Sequence, residues 1–436
     1  MKKLALFSTR EAIVILFLLG IMCLPFSALA STVKVERALD GWRLMKDGTP
    51  YFVKGACVWG HEDYNMFAPL KELAAAGANS ARTYHEKDAQ STLDRAAQLG
   101  LTVTLGFDIT PARSGTDFGD ATTIASLEAR LRRYVEKYKN HPALLAWGIG
   151  NEVELMRNDP REREQIFRAL NRLARVVKEL DPNHPTVVVT AGMDASKAAH
   201  VNAFCPDVDI IGINSYAPLV ALPAKLTEWK FERPYFVTEW GPNGHWESPQ
   251  TAWKAPVEPT SSQKAAQIER AYQSGILGDS LRCLGSYVFF WGHKQEATAT
   301  WFGLFLKSGE RVSTQDTLTK LWTEKAPEFP APTISPITVA GERFAPGAQV
   351  LAEVTVISGR PLQIEWLLAR ESDDRKNGGD AERAPEYFKT GITDLGNGNA
   401  RITAPQAAGA YRIFVFARDD KGGVATANFP FLIETT

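Results

Sequence analysis

Cysteine is scarce in this chain of 436 residues: there are four, and Cys23 falls in an N-terminal apolar stretch. The others, Cys57, Cys205 and Cys283, cannot make a complete disulfide framework. They are too scattered for a zinc ligand set of the usual spacing. A buried thiol is the reading for at least one, and a single disulfide between two is the alternative. An excess of either charge is also missing, since 49 basic and 50 acidic side chains leave -1. That balance gives no footprint for nucleic acid or an anionic membrane, and neither is expected as a partner. Histidines at His-x-His or His-x-x-x-His spacing are absent, which argues against a metal site. No solenoid repeat is visible. Beyond the N-terminus no apolar run is long enough to cross a bilayer.

What is present is an ordinary globular balance, 44% hydrophobic and 23% charged, in a chain long enough for more than one domain. Lys2 and Lys3 precede an apolar stretch from Ile13 to Phe26, and Ala28-Leu29-Ala30 is a small-x-small cleavage site before Ser31. Residues 1–30 are read as a signal peptide, with export to the periplasm or the medium and no membrane span after cleavage. An uncleaved anchor is the rival, but its apolar run is short for a span.

Asp47-Gly48 marks a hairpin turn ahead of alternating strands and helices. Strands are expected at Tyr51–Val58, Ser80–Tyr84, Leu101–Phe107, from Leu144, and at Thr186–Thr190, Asp209–Asn214, Tyr235–Thr238 and Gly285–Trp291. Charged amphipathic helices, such as Ile124–Tyr138 and Arg161–Leu180, fall between them. Eight such units fit a (β/α)₈ TIM barrel, for which about 250 residues is typical. The barrel domain is placed at 31–325, with a Pro-rich linker at 326–335. Short strands with polar turns over 336–436 point to a C-terminal immunoglobulin-like β-sandwich. Lys376 to Arg383 reads as a solvated loop in it. Truncation near Ala331 is expected to leave a folded barrel.

The chemistry gathers at two strand ends. Leu144-Leu145-Ala146-Trp147-Gly148-Ile149 is a continuous apolar run, as in a strand covered on both faces, and it ends in Gly150-Asn151-Glu152. Tyr235-Phe236-Val237-Thr238-Glu239-Trp240 has the same shape. Barrels keep their chemistry at the C-terminal ends of strands, and paired carboxylates there are the apparatus of glycoside hydrolysis.

With those residues the chain resembles the clan A glycoside hydrolases, retaining (β/α)₈ β-glycosidases, most nearly the TIM-barrel part of family 2. The clan's Asn-Glu ending strand four is matched by Asn151-Glu152, and its strand-seven nucleophile by Glu239. Its strand-two Arg is matched by Arg82, its Tyr after strand six by Tyr216, and its Trp ending strand eight by Trp291. The resemblance covers roughly residues 41–320. Family 2 enzymes carry β-sandwich domains ahead of the barrel; here the sandwich-like region follows it.

The resemblance implies that Glu152 is the general acid/base and Glu239 the nucleophile, with carboxyl groups roughly 5–5.5 Å apart in retaining enzymes. Asn151 would hydrogen-bond the sugar 2-hydroxyl, and Arg82 and Tyr216 would keep Glu239 ionised. Neighbouring Glu154 is read as a solvated carboxylate. Trp59, Trp240, Trp246, Trp253, Trp291 and Trp301 all fall at or after strand ends, where indoles can face a sugar ring or fill a core. Trp291 is the foremost sugar platform; Trp59, Trp240, Trp301 and His293 join it in the binding set. His61, His85, His245 and His293, with Glu62, Asp63 and Glu86, raise a metal-hydrolase alternative, which the spacing disfavours. The polar loop Gly292–Trp301 is expected to shape a subsite.

The resulting expectation is an exported retaining β-glycosidase acting on a β-linked glucan or related oligo- or polysaccharide. It needs no cofactor and no metal. A transglycosylase of the same mechanism and a catalytically weak glycan-binding protein are the alternatives. The first prediction concerns processing: N-terminal sequencing of exported protein should begin at Ser31, and a membrane-bound chain retaining Met1 to Ala30 would favour the anchor.

Overall fold

The computed structural model describes residues 31–59, 67–376 and 378–434. The expected signal peptide, residues 1–30, lies outside the described residues, as do His61, Glu62 and Asp63. Strands β1 (Val33–Ala38), β2 (Gly41–Lys46) and β3 (Thr49–Pro50) form an antiparallel sheet. Asp47 and Gly48 join β2 to β3 with φ of 51° and 76°, the positive values that a two-residue hairpin turn of the common type demands.

Eight parallel strands then close a barrel: β4 (Val53–Cys57), β5 (Ser80–Arg82), β6 (Thr102–Phe107), β7 (Leu144–Ile149), β8 (Thr186–Ala191), β9 (Ile210–Asn214), β10 (Tyr235–Trp240) and β11 (Cys283–Val288). Each pairs with its sequence neighbours, and β11 pairs with β4 to complete the ring. Helices lie between successive strands, as the alternating pattern predicts. Aspartates cap several of them: Asp159 accepts from the backbone of Arg161 and Glu162 at the head of Pro160–Leu180, satisfying donors that have no partner within the helix.

Both faces of the sheet are dry, which is why its strands read as unbroken apolar runs. Val187, Val189, Phe236 and Tyr287 fill the barrel interior, while Val188, Ile211 and Val237 pack toward the helices. At the N-terminal face of the barrel, Ser31 Oγ donates to Leu144 O at 2.9 Å and lies 3.1 Å from His184 Nε2. His184 Nδ1 is 2.8 Å from Asp181 Oδ2. All three residues are buried, so this Ser-His-Asp chain is a plug that fixes the barrel floor. Cys57, Cys205 and Cys283 are free and buried. The disulfide alternative does not apply, and burial pushes each thiol up to about 12.

The C-terminal region folds as antiparallel sheets. The long strands Leu362–Arg370, Gly409–Asp419 and Gly423–Ile433 face a four-stranded sheet built on Gln349–Glu353 and Asn399–Thr403. Trp366, Leu368, Val350, Ile402, Ile413 and Val415 form their common core. The expected turn at Asp419–Gly423 connects the two longest strands.

This region is welded to the barrel wall. Strand β12 (Arg311–Val312) pairs with Gly423–Val424. Leu306 and Val312 share an apolar cluster with Phe414, Phe416 and Val424. Glu258, 6% exposed, is the polar centre of the contact. It pairs with Lys264, accepts from Thr300 Oγ1 at 2.8 Å, and accepts from Asn428 Nδ2 of the sandwich at 2.6 Å. Arg412 of the sandwich donates to Asn428 Oδ1 at 2.6 Å, Pro256 O at 2.8 Å and Glu371 Oε1 at 2.7 Å. Burial alone pushes Glu258 up, but the Lys264 ammonium and the hydroxyl donors hold it below the usual carboxylate range.

Truncation at Ala331 would strip Asn428 and Arg412 from this network and expose Leu306 and Val312. Breaking a buried charge network costs about 3–5 kcal/mol. The structure therefore predicts, against the expectation of a self-sufficient barrel, a melting temperature lower by roughly 6–20 °C. Calorimetry of the 31–331 chain beside the 31–436 chain checks this; equal melting temperatures would contradict it.

Candidate active site

The C-terminal ends of the barrel strands open into a cavity of about 490 Å³. Glu152 follows β7 and enters it through a strained turn: Gly150 and Glu152 have φ of 69° and 49°. The Glu152 amide donates to Val189 O at 3.1 Å, which pins the turn to β8. A non-glycine residue held in the left-handed region costs of order 1–3 kcal/mol and is found where surrounding contacts fix it for use. Glu239 sits in β10, where a register shift between Val237 and Glu239 marks an irregularity in the pairing with β9. Such irregularities re-aim side chains beside active sites. Here Glu239 lines the cavity and Trp240 drops into the helix layer.

The two carboxyl groups have opposite surroundings. Arg82 Nη1 donates to Glu239 Oε1 at 3.1 Å, and Tyr216 OH donates to Glu239 Oε2 at 3.2 Å. Arg82 and Glu239 are 2% and 7% exposed. Arg82 is itself fixed, donating to Thr238 O at 2.8 Å and to Asn151 Oδ1 at 2.7 Å, with its guanidinium 4.5 Å from the Tyr84 ring centre. Burial, and then the charge of Glu239, push the Tyr216 phenol well above its ordinary value, so it stays a donor.

Among the described residues, Glu152 has no cation paired with it. Its one side-chain hydrogen-bond partner among them is Asn214 Nδ2, at 2.8 Å from Oε1. Burial, and next the charge of Glu239, push its carboxyl up to about 8. Two carboxyl groups in one cavity with surroundings this different are the arrangement from which an acid and base pair can be built. Asn151 Oδ1 accepts from both Arg82 and Asn214. That turns the amide NH₂ of this cavity-lining residue toward the open space.

Arg82, Asn151, Glu152, Tyr216 and Glu239 thus come together, and Trp59 lines the same cavity. Four other expected binding residues do not. Trp240 is fully buried against Tyr272. Trp291 is 1% exposed and packs on Phe305 and Trp322 behind the strand; Phe289 is the aromatic that follows β11 into the cavity wall. Trp301 is fully buried, its Nε1 donating to Asn243 O at 3.0 Å. His293 lies outside the cavity lining, and burial pushes its imidazole below the usual value. Strand-end position alone does not separate a core indole from an exposed one. Glu154 is also buried: it accepts from the Ala191 amide at 2.8 Å and pairs with Lys197 at 3.2 Å.

Several cavity residues were missed. Asn214, which bonds both Asn151 and Glu152, is oriented by Thr238 Oγ1 at 2.8 Å; its place at the end of the sixth expected strand was a usable signal. Tyr84, Trp229 and Glu247 also line the cavity, as does Trp246, previously placed only among the strand-end indoles. Lys376, Gly378 and Gly379 of the sandwich line it as well. The loop read as solvated is therefore held over the barrel mouth. Arg113 donates twice to Asp380 at 3.0 Å, Lys294 Nζ donates to Gly379 O at 2.8 Å, and the Ala297 amide donates to Glu382 at 2.7 Å.

Fold and site together define a (β/α)₈ barrel with paired carboxyl groups at the ends of two strands. Residues 60–257 match the family model described as "Glycosyl hydrolases family 2, TIM barrel domain". That family is the one the strand-end motifs resemble. A beta-glucuronidase of Sus scrofa is 31% identical over 183 residues, 39% of this chain and 26% of that protein. A beta-glucuronidase of Paenibacillus borealis is 26% identical over 242 residues, 48% of this chain and 38% of that protein. The chain thus spans well under half the length of these two relatives. Among solved structures, the Dictyoglomus thermophilum beta-D-glucuronidase superposes with a TM-score of 0.52 at 21% identity, over 69% of this chain and 54% of that one. Bacteroides uniformis beta-glucuronidase 2 superposes with a TM-score of 0.51 at 16% identity, over 92% of this chain and 48% of that one. At those identities the likeness is one of fold.

The raised Glu152 carboxyl has two pH signatures. A general acid must be protonated, so kcat/KM should fall as pH rises through about 8. For stability, a carboxyl held above its unfolded value favours the fold while protonated. That contribution is lost as pH rises from the ordinary carboxylate value of 4.5 toward about 8. Relative to wild type, Glu152→Gln should therefore gain stability across that window. Urea unfolding at pH 5 and pH 8 measures it; no change in the difference would contradict the assignment.

Proposed function

We propose that this chain hydrolyses β-glycosides with retention of configuration, Glu239 attacking the anomeric carbon and Glu152 serving as acid, then base. The observation that carries this is the asymmetry in one cavity: Glu239 bonded on both oxygens by Arg82 and Tyr216, Glu152 facing no cation among the described residues. An ionised, oriented carboxylate is a nucleophile. A carboxyl held near pH 8 protonates a leaving oxygen and later accepts the proton of water. Asn151 presents its amide to the sugar 2-hydroxyl, and Trp59 offers an apolar face to the ring. The substrate is a β-linked glucan or related saccharide, and the chain works outside the cytoplasm after loss of residues 1–30. Because the relatives named above are beta-glucuronidases, aryl β-glucuronides are assayed beside aryl β-glucosides.

Azide separates the two roles. Glu152→Ala should lose roughly 10²–10⁴-fold in turnover of substrates whose leaving group needs a proton. It should still form the covalent intermediate from an activated aryl glycoside, and azide should release that as the β-glycosyl azide. Glu239→Ala with azide should give the α-azide by a single inversion. Proton NMR of the products decides: an α-azide from Glu152→Ala would reverse the roles, and inactivity of wild type on every β-glycoside would leave a binding protein.

A further inference from the structure

Among the described residues, four carboxyl groups line the cavity: Glu152, Glu239, Glu247 and Glu296. The first three are supplied with hydrogen bonds. Glu247, outside the catalytic pair, accepts from the Ala217 amide at 3.0 Å and the Gly244 amide at 2.8 Å through one oxygen. Glu296 is different. It is 4% exposed, and its Oε2 is sealed from solvent with no hydrogen-bond partner among the described residues. Lys294 Nζ forms an ion pair with that oxygen at 3.4 Å without a hydrogen bond to it, and donates to Gly379 O at 2.8 Å. The same ammonium sits 5.4 Å from the Trp59 ring centre and 5.8 Å from that of Phe289, both walls of the cavity. His245 Nε2 stands 3.6 Å from Oε1, beyond hydrogen-bond distance.

A buried carboxylate short of donors is costly. The groups that would relieve it are O–H donors brought in by a ligand. A neutral pyranoside carries several hydroxyl groups, and a carboxylate can accept from two neighbouring ones. A uronide presents its own carboxylate instead. Like charges in a partly desolvated cavity repel strongly; the Lys294 ammonium beside Glu296 is shared with Gly379 O, and Lys225 and Lys376, which also line the cavity, pair with Glu228 and Asp374.

The geometry points to Glu296 as a sugar-binding residue that accepts hydrogen bonds from the hydroxyls of a neutral hexopyranoside and disfavours a uronide. The inference rests on the cavity being a glycoside site, and it goes further by naming the sugar class. Lys294 and the loop of Gly379 are positioning elements: they fix Glu296 against the aromatic wall. Removing the negative charge should weaken the neutral sugar and spare the uronide.

The test uses binding, so that it does not depend on turnover. Hydrolysis-inert phenyl 1-thio-β-glycosides and the matching thio-β-uronides, in the gluco and galacto series, are titrated calorimetrically into wild type and Glu296→Gln. Wild type should bind one neutral thioglycoside at least about tenfold more tightly than its uronide. Glu296→Gln should lose about 10–100-fold for the neutral ligand, the range for a hydrogen bond to a charged group. The uronide should hold its affinity or gain. Partial unfolding of the variant would weaken both ligands alike and leave their ratio unchanged, so the ratio is the readout. Tighter uronide binding by wild type, an unchanged ratio in Glu296→Gln, or binding of neither ligand overturns the inference. The azide products are read independently: retention through Glu239 with an unmoved ratio sinks this inference alone.

Discussion

A carboxylate that must stay ionised inside a barrel mouth needs a cation fixed against it, and Arg82 against Glu239 is that pair. Its Nη1 lies 3.1 Å from Glu239, and neither residue reaches a tenth of full exposure. Charges so placed attract strongly but have lost their water, so the pair holds only with its remaining hydrogen bonds filled. Thr238 O and Asn151 Oδ1 fill those of Arg82, and Tyr216 fills that of Glu239. The negative charge thus secured at Glu239 is, after burial, the largest influence raising Glu152. One ion pair therefore bears on both carboxyl groups: it orients Glu239 and, through the charge held there, helps raise Glu152, as the proposed division of roles requires.

The sandwich belongs to the same account. Its network through Glu258, Asn428 and Arg412 holds the wall from which the Gly292–Trp301 loop springs, since Thr298 and Thr300 both bond Glu258. From the other side, Glu382 caps the Ala297 amide and Gly379 O engages Lys294. The loop that carries Glu296 is thereby clamped between barrel and sandwich, which makes the second region part of the cavity's construction.

The sequence spoke clearly where one strand decides the matter. Apolar runs ending in Asn-Glu or Glu-Trp located β7 and β10, and with them Glu152 and Glu239. Arg82 and Tyr216 were legible because they too sit at strand ends and matched a known pattern. The tryptophans were less legible: Trp240 and Trp291 share those ends but turn away to the helix layer, and local register irregularities are set by neighbouring strands. Lys376, Gly378 and Gly379 were beyond reach because their contacts, such as Lys294 with Gly379, cross 85 residues and depend on how the sandwich docks. Glu154 was misread for a related reason: its partner Lys197 lies on a separate helix, outside any local pattern.

The central claim is that Glu239 forms a covalent bond to the sugar. The most direct measurement is trapping with an activated 2-deoxy-2-fluoro-β-glycoside, which slows release of the glycosyl-enzyme, followed by mass spectrometry of the digested protein. The account predicts one added glycosyl group on the peptide containing Glu239, and none after Glu239→Ala. Label on Glu152, or turnover of the wild-type protein with no covalent species and inversion at the anomeric carbon, would contradict it.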